Sequence, residues 1–172
     1  CSSDLWQATA AACEFRNALP VLVDIEPDSW NLVLDAVEAA ITRKTKAIIT
    51  VHLYGCMADL TKLTRLCRKH KLPLIEDCAH QHGSFWKGKG VGSFGDVSSW
   101  SFQESKVLSA GEGGFNMCKT KDLFYKIYSL RNCGRPYEAD PPVFGLDKPA
   151  GPETTLQSGN YRLTEWQAAL LL

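Results

Sequence analysis

Short apolar runs alternate with amphipathic stretches along most of this chain. Three runs, at residues 21–24, 46–51 and 72–77, have the length of buried strands and are bounded by turn or helix-cap residues. Apolar residues recur at helical spacing between these runs. Strands that alternate with helices of this length predict βαβ units, and therefore an α/β fold with a mostly parallel sheet flanked by helices.

The helices are predicted from apolar spacing and from cap residues. Residues 4–13 form a first helical stretch, and Val33, Val37 and Ile41 recur at four-residue spacing on a second. Asp59 is placed to cap a third helix, because an aspartate side chain accepts the free backbone N–H groups of a first turn. This third helix is expected to precede the apolar run at 72–77.

The last third of the chain holds a strand, two helices and a long loop. Residues 115–118 are predicted as a strand, followed by a helix that begins at Thr120 or Asp122. Five of the eight prolines lie in residues 134–159, which predicts a long surface loop, and a loop of that length in a compact domain is usually functional or mobile. Thr164 is then expected to cap a final helix.

Composition excludes several classes of protein. The 172 residues are 45% hydrophobic, which suffices for one core, and 19 basic residues balance 19 acidic ones. We find no basic stripe for nucleic acid and no apolar run of membrane-spanning length. The seven cysteines are widely spread and contain no Cys-x-x-Cys pair, which favours reduced thiols and a cytoplasmic location over disulfides or zinc.

Candidate chemistry gathers between residues 77 and 114. Asp77 closes the run at 72–77, so it is delivered to the carboxyl end of a strand, where open α/β sheets bind ligands. Lys106 lies among hydroxyl residues and is followed by a glycine cluster at 111–114, an arrangement that could hold a desolvated, nucleophilic amine close to a ligand. From spacing alone, an exposed surface lysine is the favoured interpretation of Lys106, because lysines are common, and Asp77 could be a helix cap or a loop carboxylate.

Two other kinds of site are weighed against this one. Asp77, His80 and His82 could suggest a metal site, but their spacing matches none of the usual zinc motifs, and no metal is predicted. A dinucleotide site would need Gly-x-Gly-x-x-Gly between a strand and a helix. The glycines at 111–114 lack that spacing and precede a predicted strand.

Seven short motifs, in a fixed order, cover nearly the whole chain. They are Val-His-Leu-Tyr-Gly at 51–55, Glu-Asp-Cys-Ala-His at 76–80, Gly-Ser-Phe-Gly-Asp at 92–96, Ser-Phe-Gln-Glu-Ser-Lys at 101–106, Gly-Glu-Gly-Gly at 111–114, Leu-Arg-Asn-Cys-Gly at 130–134 and Gly-Asn-Tyr-Arg at 159–162 with Glu165 and Gln-Ala-Ala at 167–169. Together they resemble the sugar aminotransferases of the DegT/DnrJ/EryC1/StrS family, which use pyridoxal 5'-phosphate (PLP).

The resemblance implies the aspartate aminotransferase fold, PLP fold type I. Residues 1–172 would be part of the PLP-binding large domain. An N-terminal segment and a C-terminal small domain are expected to lie outside this sequence.

The resemblance also assigns roles to individual residues. Lys106 would be the Schiff-base lysine, Asp77 the partner of the pyridine nitrogen and Ser101 a hydroxyl that binds the PLP phosphate. His80 falls where family members contact the cofactor ring or its 3-hydroxyl, although a structural histidine also fits its position. Trp6 matches the aromatic residue that stacks on the ring, with a core tryptophan as the alternative.

Asn160 matches a family asparagine that reaches the PLP phosphate of the neighbouring subunit. The resemblance therefore implies a homodimer with shared active sites. Without it, Asn160 would be an ordinary residue at a helix entry.

The implied function is transfer of an amino group from glutamate or glutamine to a keto sugar nucleotide or a keto-cyclitol, in sugar or antibiotic biosynthesis. The Ser-Phe-Gln sequence at 101–103 and the Asn-Cys-Gly-Arg-Pro sequence at 132–136 favour acceptors of the scyllo-inosose type, or an aminohydroxybenzoate synthase. A non-catalytic or regulatory PLP-binding relative would keep Lys106 and Asp77 and remains an alternative.

Overall fold

The computed structural model describes residues 7–137 and 156–172. Their helices are α1 (Ala8–Glu14), α2 (Leu34–Ala40), α3 (Leu60–His70), α4 (Lys121–Arg131) and α5 (Glu165–Ala169). Their strands are β1 (Ile48–Val51), β2 (Leu74–Asp77), β3 (Phe85–Trp86), β4 (Lys89–Gly90), β5 (Val97–Ser101) and β6 (Gly114–Cys118).

Four of the strands form one sheet in the order β1-β2-β5-β6. The β1–β2 and β2–β5 pairs are parallel, and β6 joins β5 antiparallel at the edge. The remaining strands, β3 and β4, pair as a separate hairpin. A mostly parallel sheet with helices between its strands was predicted, and the structure confirms it.

The main core lies between the sheet and helices α2 and α3. Asp59 caps α3 by accepting the Lys62 N–H at 3.0 Å, as predicted, and Leu63 of this helix is fully buried. Burial of such a side chain contributes about 1.5–3 kcal/mol. The buried residues of this cluster are Leu32, Val37, Ile48, Ala58, Leu63, Leu66, Cys67 and Leu74.

The prediction of a buried strand at residues 21–24 is wrong. Val21 and Leu22 are 55% and 64% exposed, and the backbone in this region forms one isolated bridge, between Ile25 and Leu32. An apolar run becomes a strand only where a neighbouring strand takes up its backbone hydrogen bonds. Among the described residues no strand of the sheet lies beside this segment.

Strand β5 was not predicted, although it lies inside the sheet between β2 and β6. Its sequence, Val-Ser-Ser-Trp-Ser, has neither a continuous apolar run nor a strict alternation. Gly92, on the approach to β5, has φ +83°, and a Cβ there would lie 2.7 Å from the Trp100 ring. Glycine is therefore required at this turn.

Two predicted features lie partly outside the described residues. The first helix begins at Ala8 in the structure, and residues 1–6, with Trp6, are not described. The loop at 134–159 is described only at its two ends. Within the described part of the chain, no helix is long and apolar enough to cross a membrane.

Candidate active site

The carboxyl ends of two parallel strands bring the candidate residues to one edge of the sheet. Asp77 is the last residue of β2, and it pairs in register with Val51 of β1 and Ser99 of β5. Ser101 ends β5 two residues further on. Asp77 and Ser101 therefore lie at the edge where α/β sheets bind their ligands.

The Asp77 carboxylate is half-buried and has a donor on each oxygen. Thr9 Oγ1 of α1 donates to Oδ2 at 2.9 Å, and the Ala79 N–H donates to Oδ1 at 3.1 Å. Thr9 was not recognised in the sequence, because nothing in the local pattern connects residues 68 positions apart.

The His80 imidazole lies in the same part of the structure. It stacks on the exposed ring of Tyr54, with ring centroids 5.4 Å apart, and its Nδ1 is buried with no hydrogen-bond partner among the described residues. Burial lowers the pKa of His80 below its ordinary value, the positive charge of Lys106 lowers it further, and Asp77 acts in the opposite direction. His80 is therefore neutral at pH 7.

Lys106 is half-buried in a loop that closes on itself after β5. The Phe102 N–H donates to Gly113 O at 2.8 Å, and the Ala110 N–H donates back to Phe102 O at 2.9 Å. Within the loop, the Lys106 N–H donates to Gln103 O at 2.9 Å, and the Gln103 N–H donates to Ser101 Oγ at 3.2 Å. The loop fixes the lysine close to the end of β5.

Glu76, the residue before Asp77, forms a buried ion pair with His52 within a larger hydrogen-bonded network. His52 Nε2 is 3.3 Å from Glu76 Oε2, and the Ala58 N–H donates to His52 Nδ1 at 3.3 Å. Because Nδ1 accepts that bond, the ring proton of a neutral His52 must be on Nε2, where it donates to Glu76. The carboxylate also accepts backbone N–H groups from Gly92, Phe94 and Gly95.

Burial raises the pKa of Glu76, but the hydrogen bonds from His52, Gly95 and Gly92 outweigh it and hold that pKa below its ordinary value. Glu76 is therefore ionised and saturated with donors. Sequence analysis missed this role, although a carboxylate at an inward position of an apolar strand was a usable signal.

One group of three potential metal ligands converges among the described residues, and it consists of His52, Glu76 and Cys78. It is a different group from the Asp77, His80 and His82 set considered from the sequence. Burial raises the pKa of the Cys78 thiol, and the nearby carboxylates raise it further. Since the histidine and the carboxylate are already hydrogen-bonded and the thiol is protonated, we interpret the group as a hydrogen-bonded network.

Asn160 forms an isolated bridge with Asn132. Its Oδ1 accepts from Arg162 Nε at 3.0 Å, while Arg162 Nη1 donates to Asn132 Oδ1 at 3.0 Å. Arginine has only donors, so the oxygen of the Asn160 amide must face Arg162 and its NH₂ group must face away. No described contact joins Asn160 to Asp77 or Lys106.

The mostly parallel sheet flanked by helices belongs to the class of PLP fold type I enzymes, a fold that the chain shares with solved aminotransferase structures. The sequence profile of the DegT/DnrJ/EryC1/StrS aminotransferase family matches residues 2–172. The chain belongs to this family.

Curated relatives and solved structures agree with that assignment. The chain is 45% identical over 167 residues to a putative L-glutamine:3-amino-2,3-dideoxy-scyllo-inosose aminotransferase of Streptoalloteichus tenebrarius, with 97% of this chain and 38% of the relative covered. It is 43% identical over 168 residues to the L-glutamine:scyllo-inosose aminotransferase of Streptomyces griseus, with 97% and 39% covered. The chain thus spans about two fifths of the length of these relatives.

Among solved structures, an aminotransferase from Psychrobacter cryohalolentis superposes with a TM-score of 0.85 at 34% identity, covering 96% of this chain and 42% of that one. The 3-amino-5-hydroxybenzoic acid synthase superposes with a TM-score of 0.82 at 32% identity, with 96% and 41% covered. A putative sugar aminotransferase from Streptococcus pneumoniae in its PLP form gives 0.81 at 26% identity, with 96% and 45% covered.

Proposed function

We propose that the intact protein is a PLP-dependent aminotransferase that moves an amino group from glutamine or glutamate to a keto-cyclitol of the scyllo-inosose type or to a keto sugar nucleotide. The observation that carries the proposal is the gathering of Asp77, His80 and Lys106 at one edge of the sheet. The names of the curated relatives, which specify L-glutamine and inosose acceptors, support the choice of donor and acceptor.

The described residues fit PLP. Three consecutive side chains beside Asp77 carry buried polar atoms with no partner among the described residues: His80 Nδ1, Gln81 Oε1 and both ring nitrogens of His82. Buried polar atoms are normally hydrogen-bonded, so these atoms call for a partner such as a ligand or an ordered water, and a bound cofactor would supply one. The lysine amine, the accepting carboxylate and the Ser101 hydroxyl complete a set of groups suited to an aromatic aldehyde with a ring nitrogen and a phosphate.

Each residue then has a defined task. Bound PLP supplies an electron sink that stabilises negative charge on the α-carbon of the amino donor. Lys106 would hold the cofactor covalently through Nζ and move the α-proton. Asp77 would keep a proton on the pyridine nitrogen, because an adjacent negative charge favours the protonated form. Neutral His80 would contact the ring or its 3-hydroxyl, and the Ser101 hydroxyl would donate to the phosphate.

The remaining assignments rest on the family pattern. Trp6 would stack on the cofactor ring, and Asn160 would serve the phosphate of the neighbouring subunit in a homodimer. Residues 1–172 would belong to the large domain of a cytoplasmic enzyme of sugar or antibiotic biosynthesis.

A second candidate function is aminohydroxybenzoate synthesis. It is supported by the superposition with the 3-amino-5-hydroxybenzoic acid synthase at 32% identity. The identities of 41–46% to inosose aminotransferases favour the cyclitol acceptor over it.

The proposal is tested by borohydride reduction of the intact protein with PLP, followed by peptide mapping. We expect the label on Lys106, and Lys106→Ala should lose both the label and about 10²–10⁴-fold in the rate of the glutamine half-reaction, the range that a positioned proton-transfer group supplies. Lys62→Ala, which changes an exposed lysine of α3, is the matched control and should behave as wild type.

A label on another lysine would refute the site. A label on Lys106 without any donor half-reaction would instead identify a non-catalytic relative. Rates with scyllo-inosose, with a keto sugar nucleotide and in an aminohydroxybenzoate assay then decide the acceptor.

A further inference from the structure

We infer that Thr9 is a positioning residue that fixes the plane of the Asp77 carboxylate, and this inference rests on the proposed function of Asp77. Thr9 lies in α1, far from β2 in sequence, and its hydroxyl donates to Asp77 Oδ2 at 2.9 Å. None of the motif matches gives this residue a role.

The geometry explains why a second donor is needed. The Ala79 N–H, from the turn that follows β2, holds Oδ1. One bond to one oxygen leaves the carboxylate able to turn, because the terminal torsion of aspartate is broad. A second bond, to the other oxygen and from a different element, fixes the carboxylate plane. The lone pairs that remain then face a constant direction.

The identity of the residue fits this task. Thr9 is β-branched and so has few χ1 rotamers in a helix. A helical threonine can also donate to the carbonyl four residues earlier. Thr64 of α3 does so, with Oγ1 2.7 Å from Leu60 O. The Thr9 hydroxyl instead donates to a side chain of the site, so its bond is tertiary.

The consequence is a carboxylate that is oriented before the cofactor arrives. Both of its bonds are charge-assisted, and such bonds are roughly twice as strong as neutral ones. A pre-oriented carboxylate loses less rotational freedom on binding a ring N–H, so Thr9 is expected to contribute to PLP affinity as well as to rate.

The test uses the intact enzyme with Thr9→Val, which keeps the shape and removes the donor, and Thr9→Ser, which keeps the donor. PLP affinity of the apo-enzyme, measured by quenching of protein fluorescence, should fall about 5–10-fold in Thr9→Val, the loss expected for one hydrogen bond. Thr9→Ser should stay within about twofold of wild type, since it retains the donor. Thr64→Val is the matched control and should leave PLP affinity unchanged.

A double-mutant cycle with Asp77→Asn separates positioning from a general loss of structure. If Thr9 acts through Asp77, then Thr9→Val should have little further effect on PLP affinity or on the half-reaction in the Asp77→Asn background. Additive losses would overturn the inference, as would wild-type affinity and rate in Thr9→Val. If Thr9→Val does not fold, Thr9→Ala takes its place in the same cycle.

The inference and the proposed function fail in different ways. A wild-type protein that neither binds PLP nor labels Lys106 removes the proposed function. A normal wild-type enzyme that is indifferent to Thr9→Val removes only the role of Thr9.

Discussion

Two adjacent carboxylates of β2 have opposite surroundings. Successive side chains of a strand lie on opposite faces, so Glu76 enters the interior while Asp77 reaches the edge of the site. Glu76 is fully buried and saturated with donors, whereas each oxygen of Asp77 has one donor and keeps acceptor capacity. The difference between a structural acid and a candidate cofactor-binding acid therefore arises from one step along the strand.

Asp77→Asn tests the assignment at this scale. We expect the variant to fold and to retain PLP but to lose about 10–10³-fold in the glutamine half-reaction, because an adjacent charge shifts a proton equilibrium by 1–3 pKa units and an amide carries no charge. Stopped-flow absorbance of the cofactor would measure the rate. Asp35→Asn, in the exposed first turn of α2, is the control. A near-normal rate would make Asp77 structural.

At the scale of elements, Glu76 joins three parts of the fold. Its carboxylate binds the N–H groups of the turn that leads into β5 and the imidazole of His52, which follows β1. The backbone N–H of His52 donates to the backbone oxygen of Asp77 at 3.1 Å. The buried pair thus secures the strand end from which Asp77 reaches the site.

Glu76→Gln should reduce the free energy of unfolding by about 1–3 kcal/mol at pH 7, because one face of the amide presents a donor to groups that are themselves donors. The pKa of Glu76 is below its ordinary 4.5 in the folded protein, so its stabilisation is complete above pH 4.5 and is lost as pH falls through the lowered value.

Urea unfolding of the apo-protein as a function of pH checks this prediction. The difference between wild type and Glu76→Gln should be constant at neutral pH and shrink below pH 4.5. Glu38→Gln is the control: hydrogen bonds from Lys69 and His70 lower the pKa of Glu38, but its side chain is 40% exposed and should contribute much less. An unchanged difference down to acid pH would contradict the assignment.

Elements whose signals are local were predictable from the sequence. Strands β1 and β2 contain apolar runs, and helices α3, α4 and α5 carry predicted caps at Asp59, Thr120 and Thr164. Strand β5 was not predicted, because its sequence is largely polar. It is a strand because β2 on one side and β6 on the other take up its backbone hydrogen bonds. The run at 21–24 failed for the converse reason, since apolar residues without a neighbouring strand do not form one.

The candidate site was predictable to the same extent. The carboxyl end of β2 was visible as the end of an apolar run, and the family motifs supplied Lys106, His80 and Ser101. Thr9 and the contact between Tyr54 and His80 depend on how distant segments meet, which no local spacing encodes. The roles of all the candidate residues remain predictions: Trp6, Asp77, His80, Ser101, Lys106 and Asn160.

At the scale of the whole molecule, the proposed homodimer would build each active site from residues of both subunits. Asn160 is exposed, and Arg162 holds its amide oxygen so that the NH₂ group faces away from Arg162. An outward amide donor suits an anion on another chain. Two-fold symmetric homodimers, which are the commonest oligomers, would place such a donor at both sites.

Complementation tests this arrangement. Lys106→Ala and Asn160→Ala, each nearly inactive alone, are unfolded together and refolded so that subunits pair at random. About half the dimers would be mixed, each with one intact site, so roughly a quarter of wild-type activity should return. The control is Lys106→Ala with Asp77→Asn, two lesions proposed for sites within one chain, which should not complement. No recovery with Asn160→Ala, under conditions shown to exchange subunits, would exclude the shared site.

The bond between Thr9 and Asp77 also sets an order in time. During synthesis at roughly 5–20 residues per second, Asp77 is made about 3–14 s after Thr9. Helix α1 has only seven residues, and so short a helix is not stable alone in water. The Thr9 hydroxyl of α1 therefore has no acceptor until β2, which carries Asp77, has joined the sheet. The Asp77 carboxylate therefore gains its second donor only after β2 has joined the sheet, and a cofactor bound as proposed above would meet the oriented carboxylate only then.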